Sequence, residues 1–200
     1  MYKNILVIGS ENHSGGLDMT TRGRNVSVIF GDGAGAAVVS RNETGKGGIL
    51  STHLHSEGQH KNELSLKGPS TEHWVPEIIA ENPQEDIPYY PVMNGQFVFK
   101  HAIVRFAEVI QEGLEANNLE VKDIDMLIPH QANLRISQFI QQKMKLTDEQ
   151  VFNNIQKYGN TTAASIPIAL TEAWEEGKIK EGDLVVLAAF GSGFTWGSAI

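Results

Sequence analysis

His130 is the side chain in this sequence whose type and setting best suit chemistry. It stands in Pro129-His130-Gln131-Ala132-Asn133, between an apolar run from Ile124 to Ile128 and a helical pattern from Leu134 to Met144. A strand ends there and a helix begins. In an open α/β sheet the carboxyl end of a strand faces a crevice, so a side chain on that turn meets a ligand rather than the core. Histidine can donate a hydrogen bond or exchange a proton near neutral pH, and Pro129 stiffens the turn by fixing its own torsion. One histidine on a loop specifies no reaction, and a purely structural histidine is the competing reading. A second turn of the same build adds weight. Thirty residues on, Tyr158-Gly159-Asn160-Thr161-Thr162-Ala163-Ala164-Ser165 repeats strand, glycine turn, polar residue and helix.

The elements that position these turns follow from periodicity. Asn4 to Ile8 reads as a buried strand, residues 12 to 24 as a polar loop carrying Arg22 and Arg24, and Val26 to Phe30 as a second strand. Gly31-Asp32-Gly33-Ala34-Gly35-Ala36 matches a relaxed dinucleotide fingerprint. A phosphate-binding turn must open a helix, however, and Ala36 to Ser40 looks like more strand, so a bulged strand with closely approaching backbones is expected instead. Residues 41 to 48 are polar and glycine-rich, the best domain boundary, dividing 1–44 from 45–200. Gly48 to His55 starts a new strand. Residues 56 to 91, with Pro69, Pro76, Pro83, Pro88 and Pro91, read as a long excursion with one short helix. His53, His55 and His60 invite a metal reading, but no acidic residue shares their alternation, and surface histidines are favoured.

After Asn94-Gly95, the spacing of Phe99, Ile103, Phe106, Ile110 and Leu114 predicts one buried face of a long helix. In the helix after His130, Ile136, Ile140 and Met144 form the apolar stripe, and Arg135, Lys143 and Lys145 take other faces. Val151 to Ile155 reads as a short strand. A helix follows from about Thr162 to Glu176, with Pro167 in its first turns and Gly177 ending it. Leu184 to Ala189 and Phe194 to Ile200 are strands flanking the turn Gly191-Ser192-Gly193. Strands alternating with helices imply an α/β fold with a mostly parallel mixed sheet covered by helices, closed by an antiparallel hairpin.

Two hundred residues, 40% of them hydrophobic and spread along the chain, suffice for a sizeable core in one large or two small domains. The net charge of −8 without a basic run argues against nucleic acid as a partner. No apolar segment reaches bilayer length and no leader pattern opens the chain, so a soluble, cytoplasmic protein with no membrane partner is expected. The sequence has no cysteine, which excludes disulfides, thiolate metal sites and a thiol nucleophile within this chain.

Four segments together resemble the C-terminal portion of the β-ketoacyl-acyl carrier protein synthase III family, condensing enzymes of the thiolase-like fold. They are Phe30-Gly31-Asp32-Gly33-Ala34-Gly35-Ala36-Ala37, Pro129 to Ile136, Tyr158 to Pro167, and Ala189-Phe190-Gly191-Ser192-Gly193-Phe194-Thr195-Trp196-Gly197. The resemblance implies a reaction without cofactor or metal. An acyl group from acyl-CoA is loaded on a cysteine and condensed with malonyl-acyl carrier protein, with loss of carbon dioxide. It implies that His130 and Asn160 hydrogen-bond the malonyl thioester carbonyl, which suits fixed neutral donors because decarboxylation builds an enolate. Phe190, Gly191 and Ser192 match the oxyanion and active-site turn. Arg22, Met93, Gly95, Ala132 and Asn133 match the coenzyme A and pantetheine path. Arg135, Lys143 and Lys145 resemble the basic surface that meets the carrier protein, a solvated helix face being the competing reading. A homodimer is implied for the complete protein.

The departure from the family is the nucleophile. The family's cysteine lies upstream of the strand matched by Asn4 to Ile8, so an excerpt carrying two of three catalytic side chains, unable to hold an acyl-enzyme, is expected. The alternative is a non-catalytic acyl-thioester-binding half, or a partner subunit of a cysteine-bearing condensing enzyme.

Overall fold

A computed structural model describes residues 2–66, 68 and 90–200. In chain order the elements are β1 (Asn4–Glu11), α1 (Arg24–Ser27), β2 (Gly33–Ser40), β3 (Thr52–Ser56), β4 (Leu64–Ser65), β5 (Val92–Met93), α2 (Gly95–Ala116), β6 (Met126–Pro129), α3 (Leu134–Met144), α4 (Ile155–Tyr158), α5 (Ser165–Glu175), β7 (Val185–Gly191) and β8 (Thr195–Ala199). Most of the proline-rich excursion, with Pro69, Pro76, Pro83, Pro88 and its expected short helix, lies outside the described residues.

The central sheet runs β3-β8-β7-β6, with β6 parallel to β7 and β8 antiparallel to both β7 and β3. Val151 adds a parallel bridge to Leu127, so β8 alone runs against its neighbours, and the sheet is mixed. Alternation along the strands decides the layering. Leu127, Val186, Ala188 and Phe190 face a core filled by Phe106, Ile110 and Leu114 of α2 and Ile140 of α3. Met126, Ile128, Val185 and Leu187 face the opposite core, against Ala169 and Ala173 of α5. Strands covered on both faces read as continuous apolar runs, which is why 124–128 and 184–189 stand out in the sequence. The buried stripe of α2 is Val98, Ala102, Phe106, Ala107, Val109, Ile110, Gly113 and Leu114. Phe99 and Ile103, read as part of that stripe, pack at its edge. Asn94 caps the helix by accepting from the Phe97 N–H.

A second, two-stranded sheet pairs β1 with β2 from Asn4↔Ser40 to Glu11↔Gly33 without a bulge. Its glycines are where backbones meet α5 and its preceding turn. A Cβ on Gly9 would lie 2.2 Å from the Ala163 carbonyl oxygen.

Three local expectations are corrected. Val26 to Phe30 is not a strand: Arg24–Ser27 is a short helix, anchored by the Ser27 hydroxyl donating to the Asp18 carbonyl, and Phe30 makes only a bridge to Asn160. Val151 to Ile155 pairs at Val151 alone before α4 begins. Asn4 to Ile8 is a strand but not a buried one, since Ile5, Leu6, Val7 and Ile8 are each more than half exposed. No helix among the described residues is long and apolar enough to cross a membrane.

Candidate active site

β6 delivers His130 to the end of the sheet, where its N–H donates to the Ala188 carbonyl of β7 at 2.7 Å. Gln131 beside it is buried and ties three segments together. Its Nε2 donates to the Pro129 and Phe152 carbonyls, and its Oε1 accepts from the Asn154 and Ile155 N–H groups. The polar residue next to the histidine is therefore structural, and it locks the turn to the segment leading to Asn160.

Asn160 reaches the same place from the other side. Its backbone pairs with 29–31: the Asn160 N–H donates to Ile29 and its carbonyl accepts from Gly31, at 2.8 and 3.0 Å. Glycine is required there, because a Cβ on Gly31 would sit 2.0 Å from the Tyr158 carbonyl oxygen. Its Oδ1 accepts from the Thr162 N–H at 2.9 Å, with Thr162 held at φ 43°. That leaves the amide nitrogen, which has no hydrogen-bond partner among the described residues, as the end that faces a ligand. The approach to Asn160 is clamped from outside by Glu172 of α5, which accepts from Asn154 Nδ2, from Lys157 and, through a very short bond, from the Tyr158 hydroxyl.

His130 and Asn160 open onto one cavity of about 1470 Å³. The His130 ring is largely enclosed, and burial pushes its pKa down to about 4, so it is neutral at physiological pH. Its Nδ1 lies 2.6 Å from the Ser165 hydroxyl. A neutral imidazole and an amide bordering the same cavity are uncharged donors, of the kind that suits a carbonyl oxygen gaining negative charge.

The cavity wall also includes Phe190, Gly191 and Ser192 from the β7–β8 turn, and Met93, Gly95, Ala132, Asn133 and Arg135. Phe190 is buried against Phe194, ring centres 4.9 Å apart. The Ser192 side chain is used as well as its backbone, donating to the Leu64 carbonyl of β4 at 2.6 Å. Arg22, Lys143 and Lys145 do not line the cavity among the described residues. Arg22 Nε donates to Asp18 at 2.6 Å, and its guanidinium lies 5.3 Å from the centre of the Tyr90 ring. Asp18, whose carboxyl is held well below the usual range by bonds from Thr20 and Arg22, fixes that arginine's pose. Arg135 and Lys143 are exposed on α3, and Lys145 is exposed just past its end.

The histidines of β3, read as surface residues, are half-buried and meet a carboxylate that lies outside their own alternation. Glu112 of α2 meets His53 Nδ1 at 3.3 Å and His55 Nε2 at 2.6 Å, while His60 packs among Phe97, His101 and Phe194. No group of side chains among the described residues is arranged to hold a metal ion.

Two models of one family match the chain: 3-oxoacyl-[acyl-carrier-protein] synthase III over residues 1–58, and the C-terminal part of the same synthase over residues 114–200. The chain belongs to the β-ketoacyl-acyl carrier protein synthase III family. The synthase III of Rhodospirillum centenum is 47% identical over 99% of this chain, and that of Clostridioides difficile 46% identical over all of it. The chain covers 58% of each of these relatives. The crystal structure of the Aquifex aeolicus synthase III superposes with a TM-score of 0.84 at 43% identity, covering 98% of this chain and 57% of that one. The Thermus thermophilus enzyme gives 0.86 at 37%, covering 98% and 58%. The fold is thus the thiolase-like α/β architecture of synthase III.

Ser165, which contacts His130, Glu172, which braces the approach to Asn160, and Asp18, which holds Arg22, are residues that sequence reasoning passed over. Ser165 stood inside a quoted motif without a role. The signal for Asp18 was its position four residues before Arg22.

Proposed function

We propose that this chain supplies the malonyl site of a β-ketoacyl-acyl carrier protein synthase III, which condenses an acyl-CoA primer with malonyl-acyl carrier protein to start fatty acid synthesis. The observation that carries the reading is the convergence of a neutral His130 and the Asn160 amide on one cavity. When the malonyl carboxylate leaves as carbon dioxide, the electron pair of the broken bond passes into the thioester as an enolate. His130 and Asn160 donate to its oxygen, and their neutrality leaves the developing charge stabilised without a proton being lost to it. The enolate carbon then attacks an acyl thioester, and the thiolate departs.

The reaction needs no cofactor, and the coenzyme A thioester is a substrate. Its pantetheine arm runs past Met93, Gly95, Ala132 and Asn133, and Arg22, held by Asp18, meets the nucleotide end. Phe190, Gly191 and Ser192 border the reacting centre. Arg135, at the cavity rim, with Lys143 on the same helix and Lys145 at its end, meets the acidic carrier protein. The chain has no cysteine. The acylated thiol is therefore supplied from outside these 200 residues, within a longer chain or by a partner subunit, and this chain alone forms no acyl-enzyme.

The test uses a complete synthase carrying this sequence as its C-terminal portion. His130→Ala should lower carbon dioxide release from malonyl-acyl carrier protein by about 10²–10³-fold, the loss typical of one oxyanion donor. Acyl loading of the thiol from acyl-CoA should stay near normal. Equal loss of both half-reactions would count against this division of labour.

A further inference from the structure

We propose that Ser165 is a positioning residue that holds His130 in the tautomer with its proton on Nε2, aimed into the cavity. The inference rests on the thioester-site reading above and adds how the histidine is kept a donor. Ser165 opens α5 and is 2% exposed. Its Oγ lies 2.6 Å from His130 Nδ1 and 3.3 Å from the Gln131 nitrogen. An amide N–H only donates, so Oγ accepts from Gln131. The hydroxyl retains one proton to give. A serine in a helix commonly gives it to the carbonyl one turn back, but among the described residues Ser165 Oγ has no partners besides His130 and Gln131. Its proton therefore goes to Nδ1.

A neutral imidazole whose Nδ1 accepts carries its proton on Nε2. That nitrogen makes no hydrogen bond among the described residues, and the ring borders the cavity. The other tautomer would turn a lone pair toward a carbonyl oxygen that carries lone pairs of its own, and the site would repel the atom it has to stabilise. Ser165 thus does for His130 what the Thr162 N–H does for Asn160. Each occupies the accepting end of its partner and leaves a donor facing the ligand.

The test is nitrogen-15 NMR of the imidazoles in this chain, with the His130 signals assigned by their loss in His130→Gln. The expected spectrum shows a proton on Nε2 and a hydrogen-bonded, unprotonated Nδ1. Ser165→Ala should shift Nδ1 downfield, toward the frequency of a free acceptor nitrogen, and let the Nδ1-protonated form appear. Ser165→Thr should restore the original pattern. If Ser165→Ala fails to fold, judged by its backbone amide spectrum, Ser165→Cys, a weaker donor of similar size, should show the same downfield shift. Unchanged His130 signals in the folded Ala or Cys variant would overturn the role of Ser165 and leave the thioester-site reading standing. A proton on Nδ1 in the unaltered chain would overturn it together with the donor role of His130. Malonyl-CoA that leaves the His130 signals unmoved, with the tautomer result intact, would sink only the thioester reading.

Discussion

His130 is neutral because it is enclosed, and that has a thermodynamic consequence. Its pKa falls from the ordinary 6.5 to about 4 in the folded chain. Between those values the unfolded chain binds a proton that the folded chain refuses, so stability drops as pH falls through that window and is fully present above it. The shift corresponds to at most about 3 kcal/mol. His130→Gln should remove this component, and urea titrations between pH 7 and pH 4 should show a flatter decline for the variant. Parallel curves would mean that the imidazole is already solvated. At this scale the sequence was informative where a residue's role is local. His130 announces itself as a polar group on a strand-to-helix turn; Asn160 was read on a turn of the same build, but the short helix α4 and not a strand leads into it. Ser165 and Glu172 do not, because what matters about them is a partner 35 or 14 residues away.

Elements that bury both faces or one clean stripe were legible: α2, α3, α5, β6, β7 and β8 all follow from periodicity. The failures share a cause. Val26 to Phe30 has strand-forming side chains, but α1 is four residues long with none buried, and contacts to the Asp18 loop override propensity. Apolar content predicted burial for β1, yet what touches the rest of the fold there is Gly9, and a glycine carries no hydrophobic signal. The glycine pattern at 31–36 was legible as close approach, and the structure says to what. Gly31→Ala should force the Asn160 strand bridge apart and cost about 1–3 kcal/mol by overpacking. Gly58→Ala, where an added Cβ meets nothing within 4 Å, serves as the control, expected within about 0.5 kcal/mol of the unaltered chain. Similar melting temperatures for the two variants would show that the 29–31 segment yields easily.

For the whole molecule, the prominent feature is the β1–β2 sheet, which leaves Ile5, Leu6, Val7, Ile8 and Val38 at 51–66% exposure. Leu6 and Val38 stand directly opposite each other in the ladder. Leu6, Ile8 and Val38 share one face of this ribbon and Ile5 and Val7 the other, and exposed apolar surface of this kind drives association in water. The chain by itself should therefore sediment as concentration-dependent oligomers, and Leu6→Lys combined with Val38→Lys should shift it toward monomer with little change in melting. An unaltered sedimentation profile would show that these side chains are not the contact.

The bridge between Phe30 and Asn160 sets a limit on modularity. Both backbone bonds of the Asn160 peptide go to residues 29 and 31, so the amide is aligned by a segment far upstream of the helices that surround it. The site is not a cassette. A piece cut from residue 48 onward would keep the β6–β7 pairing, the His130 turn and the serine behind it. It would lose the 29–31 segment against which the asparagine is registered, and with it the common aim of the two side chains.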